Sequence, residues 1–588
     1  MTQRDMPVHV VRVRKSHTDK HGQVRDYRSA YLRRTFRQEG KVRNETVANL
    51  SALPEHVVDL IEAGLKGEQL VPAGSAATVT RSLPHGHVAA VAAQAGALGF
   101  PGLLGPASKQ RDLALALIIA RVCRPGSKLA TTRWWADTTL AQDLGVDGAG
   151  TDEVYAAMDW LAARQQGIEK TLATRHLSPE ANPKKLALFD LSSSWVTGHH
   201  CELAARGYSR DGKKGLPQIE YGLLTEPDGR PVAVRVVAGN TADPAAFEAI
   251  AQEMKTTFGL QEMVMVGDRG MITSARIAAL KELGGLGWVT ALRAPSIKAL
   301  AADDGPLQMS LFDETNLAEI THPDYPGERL IACRNPALAA ERTRKRRELL
   351  EATDAELAKI AAAAEAGRIR GAGKIGVRAG KVIGKYNMEK HYTLTIEDNA
   401  FGYARNEEQI RAEAALDGIY IIRTSVGAAA MDAARVVATY KSLAGVERDF
   451  RSIKSIDLSL RPIHHWTETR VRAHVFICML AAYLVWHLRR AWAPLTFTDE
   501  DRPAPADPVA PANRSEAADK KASTRTSSDG HPAYSFRALL EHLGTLTRND
   551  IRYGTAQDLP VIPTLAIPTP IQRQAFDLIG EPIPIHIK

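Results

Sequence analysis

The sequence predicts an α/β protein built on a mixed sheet, and three observations carry that prediction. First, KKLALFDLS (184–192), QIEYGLLT (218–225) and PVAVRVVAG (231–239) are short apolar runs with a turn or loop before each. Second, strand and helix patterns then alternate: PAAFEAIAQEM as helix, EMVMVGD as strand, TSARIAALKEL as helix, GWVTALR as strand. Third, the same pattern resumes after a gap with DGIYIIRTS (417–425) and two long helical segments. Three strands and a helix followed by alternation describe an α/β sandwich with a mixed sheet.

The elements around this core follow in order. At 588 residues the chain exceeds one compact core, and about 100–200 residues per domain gives three or four units. Residues 1–50 alternate in a strand-like way (VHVVRVR, then DYRSAYLRRTF), and twelve Lys or Arg stand against five acids in residues 1–45. A small basic β-rich segment fits, as does a solvated edge. Residues 51–180 read as a helical N-terminal region, because LPEHVVDLIEAGL, RDLALALIIARVC and TDEVYAAMDWLAARQQG repeat near 3.6. The core pattern spans 184–295, leaves for an insertion lobe over 296–415 with a charged helix from Ala337, and returns over 416–495. There a long helix from Met431 to about Ile453 precedes a second from Thr467 to Arg490. Residues 496–530, rich in Pro, Ala, Ser and charge, read as a disordered linker, and 531–588 as a short helical and Pro-rich tail.

Composition narrows the function. Net charge is +8 and pI near 9.1, which favours a polyanionic partner without proving one. Cys123, Cys201, Cys333 and Cys478 lie far apart, so neither a zinc knuckle nor a disulfide framework is expected, and a reducing, cytoplasmic setting fits. The N-terminus lacks the apolar run of a signal peptide. The apolar run Val475–Trp486 is shorter than a membrane span and reads as a buried core helix.

Three acids stand where α/β folds place ligands. Asp190 reads as the end of the first core strand, Asp268 as the end of the fourth, and Glu447 as mid-helix after the last. Asp268 is followed by Arg269-Gly270, and a glycine there leaves room for a phosphate or a metal. In YKSLAGVERDFRSIK, Tyr440, Glu447 and Lys454 are seven residues apart and share one helical face.

The order strand-Asp, Gly-Asn-Thr-x-Asp (239–243), Asp-x-Gly (268–270), then a helix with Tyr-x2-Arg-x3-Glu-x6-Lys resembles the DDE transposases of bacterial insertion sequences. The resemblance covers about 184–490 and extends to YSRDGKKGLPQIEYGLL and LRPIHHWTETRVRAHVFICMLAAYL. It implies an RNase H-like catalytic domain, a triad of Asp190, Asp268 and Glu447 binding Mg2+ (or Mn2+), and double-stranded DNA partners. Those partners are inverted-repeat ends and target DNA, engaged by a homodimer. One position departs from the signature: Leu443 stands where it has Arg.

The chemistry agrees with the resemblance. Hydrolysing a phosphodiester needs an activated water and a stabilised leaving oxygen, which two metals can serve. Mg2+ prefers oxygen ligands, so three carboxylates suit it. Tyr440 is then a positioning residue and Lys454 a phosphate contact. Arg451, four residues after Glu447, returns to the same face and is the candidate for the missing charge. In the insertion, Arg342, Arg344, Lys345 and Arg346 of RTRKRR either neutralise DNA phosphates or form a solvated face braced by i,i+4 acids such as Glu351. Trp195, Trp288 and Trp466 read as core or rim residues more readily than as base-stacking ones. Gly371-x-Gly373-x-x-Gly376 follows a charged helix, which excludes a dinucleotide fingerprint, and His199-His200-Cys201 has no partners at zinc spacing. Two rival readings stand beside the transposase: a metal-dependent nuclease or junction resolvase on the same fold, and a catalytically silent, transposase-derived DNA-binding protein.

Overall fold

The computed structural model describes residues 8–587, apart from 19, 21–23, 39–40, 69–76, 183–185, 199, 208, 214, 242–251, 254–255, 260–262, 271, 303–304, 504, 528 and 555–558. The expected helix at 244–254, Asp243, His199 and Met271 therefore lie largely or wholly outside the described residues. The chain divides into two compact units, residues 1–82 with 548–564, and 83–547 with 565–588.

In the first unit β1 (Val8–Thr18), β2 (Val24–Gln38) and β3 (Lys41–Asn49) form an antiparallel sheet, with α1 (Glu55–Leu65) beside it. Its basic residues are partly matched by acids: Arg12 pairs with Asp59 and Glu62, and Arg14 with Asp26 at 2.5 Å. The second sheet pairs β4 (Ala77–Pro84) with β15 (Thr547–Tyr553) and β16 (Val561–Leu565). So a strand interrupts the region read as helical, and the Pro-rich tail supplies its partners before ending in a helix at Pro570–Ile579. Period-2 signals this short are easily lost between helices.

The second unit is mixed α/β. Its eight-stranded sheet runs β10-β11-β14-β9-β8-β5-β6-β7. These strands are β5 (Leu186–Trp195), β6 (Gln218–Thr225), β7 (Pro231–Ala238), β8 (Met263–Val266), β9 (Leu286–Ala291), β10 (Leu317–Ile320), β11 (Arg329–Arg334) and β14 (Ile419–Thr424). The central trio β5, β8 and β9 is parallel and the flanking pairs are antiparallel. β6 is buried throughout, and a Cβ at Gly222 would stand 2.3 Å from the Phe189 ring, so this glycine is what lets β6 lie on β5.

Two helices apolar on every side fill the core, as such helices do. α2 (Lys109–Cys123), whose N–H at Arg111 is capped by Ser108, is buried from Leu113 onward. α3 (Glu468–Ala491) is buried over most of its length and is long and apolar enough to cross a membrane by composition. Its packing explains the apolarity: it is a core helix against α2 and β7.

Three expectations need correction. The insertion is smaller than 296–415, because β10 and β11 join the main sheet. The lobe proper begins at α4 (Pro336–Glu365), capped by Asn335, and continues through α5 (Ala372–Tyr386) and the hairpin of β12 (Tyr392–Ile396) with β13 (Phe401–Arg405). Leu350, Leu357, Ile375, Ala379 and Phe401 give it a core of its own. The long helix from Met431 is really α6 (Ala433–Lys441), α7 (Leu443–Arg451) and a π turn at Ser452–Ile456.

Residues 496–530 are not a disordered linker. Val509 is fully buried, and its carbonyl and those of Pro508 and Ala510 accept from the Lys441 ammonium. Ser515 caps the helix α8 (Glu516–Thr524) while bonding Asp499. A few anchors and a dense set of polar contacts hold a segment that lacks the apolar content to fold alone.

Candidate active site

The register of the parallel strands aligns two acids. Leu186, Ala187 and Leu188 of β5 pair with Val264, Met265 and Val266 of β8. Two residues further on, the same register sets Asp190 level with Asp268, and neighbouring strands lie about 4.8 Å apart. Asp190 does not end its strand, as expected from sequence. β5 continues to Trp195 because β6 keeps pairing with it, Asp190 opposite Leu223 and Ser194 opposite Ile219. It is β8 that stops, which opens the sheet beside Asp190.

The loop after β8 is fixed by its own bonds. The Asp268 carbonyl accepts from Thr290 of β9 at 3.0 Å, and its Oδ1 accepts from the Gly270 N–H at 2.9 Å. A Cβ at Gly270 would stand 3.3 Å from that oxygen. The glycine therefore serves close approach to the carboxylate, without a positive φ.

The acids share one electrostatic field. Asp190 is pushed up to about 7, first by burial and then by the Asp268 charge, with Glu447 adding to it. The Leu191 N–H, donating to Asp190 Oδ1 at 2.8 Å, and the Arg210 guanidinium oppose that rise. Tyr440 is pushed up to about 12 by burial, then by Asp268, with Glu447 and Asp190 contributing and Arg269 opposing. Asp190 within β5, Asp268 in the loop after β8, and Glu447 and Tyr440 on two helices thus act on one another.

α7 positions Glu447 through the packed residues one turn to either side of it. Leu443, Val446 and Phe450 are buried, and the Phe450 ring meets Tyr221 of β6 edge-on at 5.7 Å. Glu447 stays exposed. Leu443 is 8% exposed, so the residue in the signature's Arg position is a core contact here.

Several candidate residues go elsewhere. Lys454 lies in the π turn after α7, and its ammonium is buried against Asp211, next in sequence to Arg210, at 2.8 Å. Burial also lowers its pKa. Arg461 joins the same Asp211. Arg451 is exposed at the end of α7. In the basic run, Arg346 pairs with the buried Asp417 at 2.5 Å, Arg344 with Glu341 and Glu348, and Lys345 with Glu341. The bracing acids within the helix are Glu341 and Glu348, so the solvated-face reading fits Arg344 and Lys345, while Arg346 is held by Asp417. Arg342 is exposed. Trp288 is buried, its indole N–H donating to Glu328, whereas Trp466 is exposed beside His200. All four cysteines are buried and free.

Two residues were missed from sequence. Arg210 donates from its backbone N–H to Ser193 at 2.9 Å and from its guanidinium to the Leu191 carbonyl, which lodges it beside Asp190. Asp211 next to it receives Lys454 and Arg461. Both lie in YSRDGKKG, a run rich in turn and charge residues that gives no hint of where it docks.

The donors that meet at this cluster are carboxylate oxygens and a phenol, a hard set suited to divalent cations that prefer oxygen. Burial, and then the Asp268 charge, lift Asp190 to about 7, and a cation bound here would relieve both. With the side chains as they stand, no three His, Cys, Asp or Glu among the described residues close on a single metal position.

The family model for the transposase DDE domain matches residues 184–484. No curated protein matches the chain. Among solved structures, a cryo-EM structure of the piggyBac transposase synaptic complex with hairpin DNA is similar at 8% identity. It covers 74% of this chain and 70% of that one at a TM-score of 0.33, an overlap too loose to inform on the fold.

Proposed function

That the chain belongs to the transposase DDE-domain family is the premise from which we propose its mechanism as a DNA transposase. Asp190, Asp268 and Glu447 are the carboxylates that hold divalent cations, Mg2+ or Mn2+, on an RNase H-like core. The observation that carries this reading is that Asp190 and Asp268 each lie two residues beyond the last residues at which β5 and β8 pair, Leu188 and Val266, and act on one another there. Antiparallel β5, β6 and β7 followed by parallel β8 and β9 support the RNase H-like assignment.

Bound cations supply the charge that activates the attacking oxygen and stabilises the leaving 3′-oxygen. The protein's own groups do the rest. Asp190 and Asp268 approach from the sheet, and Glu447 closes from α7. Arg210, lodged at Leu191, sets a guanidinium beside Asp190, where it can meet a phosphate oxygen. Tyr440, held protonated by its surroundings, offers a hydroxyl donor and no nucleophile. Cleavage uses water and strand transfer uses the freed 3′-hydroxyl in the same geometry, so no covalent protein–DNA intermediate is needed.

The DNA partners are the inverted-repeat ends of an insertion sequence and its target, engaged by a homodimer. Cleavage and joining of end-bearing DNA tests the reading: Asp190→Asn, Asp268→Asn and Glu447→Gln should each abolish both reactions and leave binding intact. Any one of these variants cutting at the parent's rate sinks the assignment. Joining, which the parent should perform, separates a transposase from a nuclease or resolvase.

A further inference from the structure

A cleft of about 790 Å3 opens on the other side of α7 from the acids. At 3.6 residues per turn, the cleft-lining Gly445, Arg448, Asp449 and Ser452 fall on the face of α7 away from Glu447. α3 contributes Arg489 and Arg490, and the 496–530 segment contributes Arg502, Arg514 and Arg525 from the opposite wall. Six guanidinium groups thus surround one gap, against the four acids Asp228, Asp449, Asp457 and Asp499.

The acids are largely turned to structural use. Asp457 holds Arg489 at 2.7 Å and accepts from Ser452, while Asp499 accepts from both the backbone and the hydroxyl of Ser515. Arg490 and Arg502 reach Asp228 and Asp499 only at 3.6 and 3.9 Å. Arg448, Arg514 and Arg525 are exposed and make no ion pair among the described residues. The wall that carries three of the six is anchored by Val509, Lys441 and Asn335, so the cleft is built into the fold.

We propose that this cleft is a second phosphate-binding channel, which grips the backbone of duplex DNA on the far side of α7 from the reacting phosphate. The inference rests on the transposase reading and names a contact surface for its DNA. The ligand is the backbone rather than the bases, because six guanidinium groups against two aromatic rings, Trp486 and Phe497, line the cleft, and Arg230 and Arg490 already lie over the Trp486 ring at 4.2 and 4.8 Å. Binding is therefore independent of sequence.

The test uses the full chain in EDTA with a short duplex of scrambled sequence. The combined variant Arg448→Ala, Arg514→Ala, Arg525→Ala should flatten the slope of log affinity against log salt by about 0.9 for each lost contact. Arginine-selective modification of the unaltered chain, read by mass spectrometry, should find these three protected by the duplex, which needs no variant to fold. An unchanged slope and no protection, with the parent still binding duplex steeply, overturns the channel and leaves the transposase reading standing. A parent that binds no duplex at all overturns both.

Discussion

Replacing Asp190 with Asn should make the metal-free protein more stable while removing its activity. The magnitude comes from the carboxyl's setting: burial and the Asp268 charge lift it from 3.8 to about 7. At 1.36 kcal/mol per decade, that rise is roughly 4 kcal/mol of penalty against the ionised form. The sign follows from proton binding. Between these two values the folded chain holds a proton that the unfolded chain has lost, so folding stability falls as pH rises through this window and stays low above it. Asparagine carries no charge at any pH and keeps an oxygen for the Leu191 N–H. Wild type and Asp190→Asn should therefore unfold together near pH 4. By about pH 8 the variant should lead by up to the same roughly 4 kcal/mol. The assay is urea unfolding in EDTA across that range, followed by tryptophan fluorescence. Adding Mg2+ should then raise the parent's midpoint in proportion to the logarithm of metal concentration, and leave the variant's unmoved. A variant no more stable than the parent above pH 7 in EDTA would refute the claim that burial and the Asp268 charge raise Asp190.

The other expectations concern metal, phosphate and surface charge. Mg2+ or Mn2+ should support cleavage and Ca2+ binding alone, since Ca2+ coordinates more loosely; cutting in EDTA would exclude the carboxylate mechanism. Arg210→Ala should slow cleavage by about two orders of magnitude, about 3 kcal/mol at the barrier, with Arg451→Ala milder. The reverse order of effects in single-turnover rates would restore Arg451 as the compensating charge. Arg344→Ala with Lys345→Ala should leave the salt slope of DNA binding unchanged, because Glu341 and Glu348 already balance both. A slope flattened by about 0.9 for each would return this helix to the DNA interface.

What could be read from sequence was set by local order. The apolar runs that carry Asp190 and Asp268 announce themselves as strands, and so the acids could be placed near strand ends. Their level alignment could not be read, because it depends on which strand pairs with which and in what register. The π turn at Ser452–Ile456 left no mark in a sequence that repeats as a helix, and neither did the pairing of its Lys454 with Asp211, more than two hundred residues away. Residues 496–530 misled for the opposite reason. Their composition is that of a chain that cannot fold alone, yet Lys441 and Asn335 lie in the core and the lobe junction, far away in sequence.

Leu443 is where these strands of argument meet. On sequence alone it looked like a lost phosphate contact, one that an arginine restored there might repair. Packing argues otherwise. Leu443 is 8% exposed and lies with Val446 and Phe450 on the face that seats α7 against the sheet. Position 443 lies one turn before Glu447 on the same helix, so the side chain packed there fixes where that turn sits. A longer charged side chain there must displace packed neighbours, at about 1–3 kcal/mol for the overpacking alone, and must find a partner for its charge or swing the helix outward. Either response moves Glu447. Leu443→Arg should therefore lower the melting temperature and reduce cleavage, and it should fail to rescue Arg210→Ala. If Leu443→Arg instead melts with the parent and restores cleavage to Arg210→Ala, position 443 does look into the active site, and the seating of α7 described above is wrong.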